Sequence, residues 1–187
     1  VRRQPTYRYP HFVSAVNIEE TDGKRYLLSL DLDLPGKEEL LVILKNPSRA
    51  NTEVSDKTVF NVCHYVYKNA QRYAVLQNTG RLLIANLIPH YLTDSHMLQR
   101  KKGELIDPRN LETIDTLCAQ PNHVIVAWGN APKGLHDTYE ILKTRVMALL
   151  RQHQKKVFYV KQLSKAGNPR HGQVWGYKDP LLVWDDW

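Results

Sequence analysis

Two cysteines, Cys63 and Cys118, are all the chain has, and they stand far apart with no Cys-x-x-Cys pairing. Such spacing rules out a four-cysteine zinc or iron–sulfur centre and gives no disulfide framework, so two buried thiols are expected. No run of about 18 apolar residues occurs, and no membrane span is expected. The opening Val1-Arg2-Arg3-Gln4-Pro5 lacks the apolar stretch of a secretory signal, which makes a soluble, cytoplasmic protein the expectation. Glycine-rich phosphate loops of Walker or Rossmann type are missing too. Their absence argues against an NTPase or a nicotinamide dehydrogenase, and neither cofactor nor metal is expected.

What is present bounds the fold. A length of 187 residues with 42% hydrophobic content is enough for one well-buried core and short for two ordinary domains. The formal charge of +7 and pI near 9.4 favour polyanionic partners, because neutralising phosphates releases counterions.

Residues 1–20 mix Pro, Tyr, Arg and His without periodicity, so 1–24 reads as an irregular arm and 25–187 as a single α/β domain. Arg25–Leu32 and Glu39–Leu44 flank the turn signal Leu34-Pro35-Gly36-Lys37 and read as a hairpin. Ser55–Tyr73 carries Val59, Val62, Cys63, Val66 and Ala70 near helical spacing, with Ser55 as a candidate N-cap. Leu82–Ala85, Val124–Ala127 and Val157–Val160 are continuous apolar runs, as expected of strands buried on both faces. Between them Leu111–Ala119 and Tyr139–His153 read as helices, and Tyr91–Asn110 as a long insertion. Alternating strands and helices predict an α/β domain with a parallel central sheet.

In an open α/β sheet, ligands bind outside the carboxyl ends of the strands. Four loops occupy that edge: Lys45-Asn46-Pro47-Ser48, Asn86-Leu87-Ile88-Pro89, Trp128-Gly129-Asn130, and the stretch Ser164-Lys165-Ala166-Gly167-Asn168-Pro169-Arg170-His171. Taken singly, each has a structural explanation: Asn46-Pro47 as a turn, Asn86 as a cap, Trp128 as packing, His171 as a solvated loop residue. Their convergence on one edge is what points to a site. Asp56 opens the helix after the first loop, as a carboxylate for orienting water or as complement to the helix dipole. The same helix start offers backbone N–H groups for a phosphate.

These loops resemble an uncharacterised bacterial and phage family marked by an Asn-Pro-Ser, Asn-Leu, Ala-Trp-Gly and Pro-Arg-His series. Here the series reads Leu44-Lys45-Asn46-Pro47-Ser48-Arg49-Ala50, Asp56-Lys57-Thr58, Asn86-Leu87, Ala127-Trp128-Gly129 and Pro169-Arg170-His171, with Lys45 and Asn51 as departures. More distantly, the pattern is similar to the uracil-DNA glycosylase superfamily. That resemblance implies a three-layer αβα fold with a central, mostly parallel four-stranded sheet, here extended by the N-terminal hairpin. It also implies that Asn46 holds the attacking water, that Asn86 reads the base edge, and that His171 faces the leaving base; Pro47 is a further candidate against the base, and Tyr91 or His90 is the candidate to stack on it.

Hydrolysis of an N-glycosidic bond leaves negative charge on the departing base, so the site needs a positioned water and a preset donor. Asn46 holds water but is a weak base; His171, helped by Arg170, carries the leaving group, and Asp56 is the nearby carboxylate that would serve as base. A duplex base must first be flipped out. Lys45, Ser48, Arg49, Lys165 and Arg170 are the candidates for the phosphates, and Val174 and Trp175 for a wedge into the stack. DNA is the expected partner, in repair or in defence against phage with modified genomes, and a monomer is expected. Lys45 or Lys165 would add lyase chemistry through a Schiff base. Two other readings stay open: a non-catalytic nucleic-acid or nucleotide-binding module, and hydrolysis of a free nucleoside or nucleotide.

Overall fold

In the computed structural model, which describes residues 5–91, 95–121 and 123–185, the chain alternates strands and helices along most of its length. The order is β1 (Thr6–Arg8), β2 (Val13–Thr21), β3 (Lys24–Leu32), β4 (Glu38–Leu44), β5 (Val54–Asp56), α1 (Lys57–Asn69), α2 (Ala74–Gln77), β6 (Thr79–Asn86), α3 (Ser95–Arg100), α4 (Pro108–Cys118), β7 (His123–Val126), α5 (His136–Gln152), β8 (Lys156–Val160) and β9 (Leu181–Val183). A main sheet of seven strands runs β2-β3-β6-β4-β7-β8-β9, and β1 pairs separately with β5. Its centre, β6-β4-β7-β8, is parallel, while β2, β3 and β9 run antiparallel at the margins.

Strand alternation explains the continuous apolar runs. In β4, Leu40, Val42 and Leu44 face the core under α1, whereas Leu41 and Ile43 face the core under α4 and α5. Helices therefore cover both sides of one mixed sheet.

Three expectations need correction. The hairpin does not join Arg25–Leu32 to Glu39–Leu44, because β6 lies between β3 and β4. The Pro35-Gly36 turn is instead clamped to the start of β6, where Glu38 N donates to Asn78 O at 2.8 Å. The true hairpin is β2–β3, closed by Asp22-Gly23 with φ of 52° and 71°. Positive φ at both central residues is what a two-residue turn between twisted strands requires. The arm is consequently not irregular: its residues 13–21 form an outer strand. Two register shifts and the charges of Glu19 and Glu20 guard that edge. Lastly, the sheet has seven strands rather than four.

The helix after the first loop is capped by Asp56 rather than Ser55: one carboxylate oxygen accepts from Thr58 N and Val59 N, both at 2.9 Å. In the insertion, residues 92–94 lie outside the described residues, and the remainder holds α3, a short 3-10 turn at Lys102–Glu104 and the start of α4. Asp107 caps α4 through Asn110 N, with Pro108 at its first position. Among the described residues no helix is long and apolar enough to cross a membrane, and no group of His, Cys, Asp or Glu is arranged to hold a metal ion.

Candidate functional site

The first and last loops meet, as their strand positions require. Lys45, Asn46, Ser48, Thr58, His171, Gln173 and Val174 line a cleft of about 300 Å³. Beyond Lys45, His171 and Val174 lies a smaller cavity of about 160 Å³, bounded by Gly129, Asn130, Ser164, Pro169 and Arg170. Lys45, His171 and Val174 thus border both cavities. A larger groove of about 470 Å³ lies at Lys37–Glu39 and Pro121, but it opens at the amino ends of β4 and β7, away from the polar loops. Position relative to the strand ends favours the smaller cleft.

The first loop is held from behind. Asp56 adds to its two cap bonds a second pair, from Arg49 N at 3.2 Å and Ala50 N at 3.4 Å. Arg25, a buried guanidinium, donates to Ala50 O at 3.1 Å. Asp56 is buried, its oxygens meet four backbone N–H groups, and it is absent from the cleft lining. It serves here as an anchor, and its cap bonds occupy helix N–H groups that would otherwise meet a phosphate.

His171 is placed by Gly129. Gly129 has φ of 67° and donates its N–H to Pro169 O at 3.0 Å, and a Cβ at this position would come within 3.1 Å of the His171 Cβ. Gln173 N donates to His171 Nδ1 at 3.3 Å, so Nδ1 is the acceptor and the proton of the neutral ring sits on Nε2. Burial, and next the nearby Lys45 ammonium, lower the His171 pKa to about 4, against a smaller opposing pull from Asp56. At neutral pH the ring is therefore an uncharged donor. Burial also lowers the Lys45 pKa; its ammonium stands 6.0 Å from the Tyr139 ring centroid, and none of the ion pairs among the described residues includes it.

The fourth loop is fixed by a polar relay that no motif in the sequence announces. Ser164 Oγ and Asn168 Nδ2 both donate to Asn130 Oδ1, at 2.7 and 3.1 Å, and Lys143 Nζ donates to Asn168 Oδ1 at 2.7 Å. Asn130 and Ser164 belong to the loops expected at the strand ends. Thr58, which also lines the cleft, belongs to the Asp56-Lys57-Thr58 stretch of the series, whereas Gln173 carries no signal in the sequence beyond lying two residues past His171.

Other expected residues fall elsewhere. Pro47 is buried beneath the loop. Asn86 is wholly buried and its carboxamide has no hydrogen-bond partner; the Leu44–Asn86 register puts it on the α1 side of the sheet, outside the cleft lining. Leaving such a group unpaired costs about 1–3 kcal/mol. Tyr91 is bound to Glu20 at 2.6 Å and lies against Arg25, at the hairpin rather than in the cleft. Trp175 is not a surface wedge: it is 5% exposed, packs on Tyr65 and donates its indole N–H to Arg170 O. Val174, at 56% exposure, holds the rim position instead. Arg49 and Lys165 are exposed on their loops, and Arg170 borders the smaller cavity while donating to Gln162 O.

No curated protein and no solved structure matches the chain. One family does, over residues 25–172, a span from the second hairpin strand to just past His171. The chain belongs to the family described as "Protein of unknown function (DUF1643)".

Proposed function

We propose that the protein hydrolyses the N-glycosidic bond of an unpaired or flipped base in DNA, uracil-like or modified, leaving an abasic site. The observation that carries this reading is His171, neutral and protonated on Nε2, bordering the same cleft as Lys45 and Asn46. When the C1′–N bond breaks, its electron pair leaves with the base, and positive charge grows on the sugar. A neutral imidazole N–H stabilises the departing anion without itself being an acid, and the Lys45 ammonium adds a positive field in a half-buried setting. Asn46 orients the water whose oxygen joins C1′; the water's proton passes to solvent, and the base anion takes one up after release. The cleft volume, at the low end of the about 300–1,000 Å³ usual for ligand sites, suits one base rather than a large cofactor.

Incubation with single-stranded and duplex oligonucleotides carrying uracil and a panel of modified bases, followed by alkaline cleavage, tests it. Strand breaks at the substituted position, lost in His171→Ala and Asn46→Ala, are the expected outcome. No break on any substrate, from a folded protein, overturns it.

A second reading, a nucleic-acid-binding module without turnover, is favoured by one observation: among the described residues no carboxylate lines the cleft, and Asp56 behind it is engaged with backbone N–H groups. Binding that survives both substitutions while no abasic site forms would select this reading.

A further inference from the structure

From the cleft mouth, a ladder of rings and cations runs along the outer face of α1. Tyr7 packs on Phe60 with ring centroids 5.0 Å apart, Phe60 on His64 at 4.1 Å, and His64 on Tyr177 at 5.8 Å. Lys57 stands 5.9 Å from the Tyr7 centroid at one end, and Lys68 stands 4.2 Å from the Tyr177 centroid at the other. These side chains are half-buried or exposed, with Tyr177 at 37%.

The ladder is continuous with the site. Thr58, next to Lys57, lines the cleft, and so do Gln173 and Val174, which lead to Tyr177. Asn61 Nδ2 donates to Gln173 O at 2.8 Å and locks the two segments side by side.

Charge here is of one sign. Residues 5–16, 57–78 and 162–178, which build this face, contain no Asp or Glu. Two acids adjoin these segments in sequence: Asp56 is buried against backbone N–H groups of the first loop and α1, and Asp179 accepts from Gly176 N at 2.7 Å and faces Lys161 at 3.4 Å. A run of rings with a cation at each end, and no carboxylate among these described residues, is an arrangement on which successive unpaired bases stack while their phosphates are neutralised. Duplex DNA hides its base faces and has no use for such rings.

We infer that this face is a track for single-stranded nucleic acid, feeding an already unpaired nucleotide into the cleft. The inference deepens the nucleic-acid reading of the site and does not need turnover, so it is tested by binding alone. Fluorescence anisotropy with a labelled dodecamer, single-stranded or annealed to its complement, is the measurement. The single strand is expected to bind at least about tenfold tighter, and Tyr177→Ala to weaken it by about fivefold or more, with Tyr177→Phe near wild type. Lys68→Ala should flatten the salt dependence by about 0.7 for each phosphate it no longer neutralises. The same pattern in His171→Ala, with no glycosylase activity in any form, would leave the track standing and the enzyme reading fallen. Equal or tighter duplex binding overturns the track. So does unchanged binding by Tyr177→Ala, or heparin competing equally well against the wild type and Tyr177→Ala; either would mark the ladder as a clamp for the N-terminal strand and the surface as merely basic.

Discussion

The two sides of the sheet bury comparable apolar cores yet present opposite kinds of surface. On the α4–α5 side charges are mixed: α4 carries Glu112 and Asp115, α5 carries Asp137 and Glu140, and pairs such as His153–Asp115 at 2.6 Å and Lys143–Glu140 at 2.7 Å tie the layer together. The α1 side has no acid from Lys57 to Asn78. Folding alone does not demand that asymmetry, since the two helix layers dock on alternate residues of the same strands. One side carries ion pairs of its own, and the other carries Lys57, Lys68 and Arg72 with no acid among them.

The two sides differ most at their helix caps. Asp56 on the α1 side accepts four backbone N–H groups, whereas Asp107 on the α4 side accepts one from Asn110 together with the Lys24 ammonium. Asp56→Ala should cost about 3 kcal/mol, as a lost cap plus donors left unpaired near the core. In thermal denaturation that is a fall of about 10 °C. Asp107→Ala should cost about 1–2 kcal/mol. Equal losses would show that the first loop is not anchored through Asp56.

Acid separates the sides next. The His171 pKa lies below that of an unfolded histidine, so between about pH 6.5 and 4 the unfolded chain holds more protons than the folded one. Stability from this group should be level above pH 6.5 and decline as pH falls toward 4. His64, His90 and His123 are lowered in the same direction by burial, so His171→Gln should remove part of the acid slope in melting temperature rather than all of it. A slope unchanged by the substitution would mean that His171 is not buried as a neutral ring.

Charge reversal gives the smallest effect on folding and sharpens the contrast in binding. Lys68→Glu and Arg145→Glu each alter one exposed cation, on α1 and α5 respectively, and each should change stability by less than about 1 kcal/mol. Only Lys68→Glu should weaken oligonucleotide binding in an anisotropy titration, by about fivefold. Equal weakening by both would reduce the asymmetry to net charge.

Much of the fold was legible because it rests on period. The runs at Leu82–Ala85, Val124–Ala127 and Val157–Val160 lie in or at the ends of strands, and Leu111–Ala119 and Tyr139–His153 lie in or at the ends of helices, because tight burial on two faces leaves little freedom in composition. The hairpin is not legible locally, because Pro35-Gly36 is as strong a turn signal as Asp22-Gly23, and nothing local tells a turn that pairs its flanks from one that lets a later strand slip between them. Strand β9 has only three residues, and its pairing to β8 is a tertiary fact. At the site, loop positions after strands were readable, and they brought Lys45, Asn46, Ser48 and His171 together. Orientation was not: whether Trp175 points out or in, and whether Asp56 faces the cleft or the backbone, depends on contacts made across more than a hundred residues or on the cap of a helix.

The contact between Gly129 and His171 has a hereditary consequence. A side chain at position 129 meets both a left-handed backbone and the His171 Cβ at 3.1 Å, so the two positions are not free to vary one at a time. A lineage that gave up the glycine would strain a left-handed turn and press the histidine back by a few tenths of an ångström, so the neutral donor would shift with it.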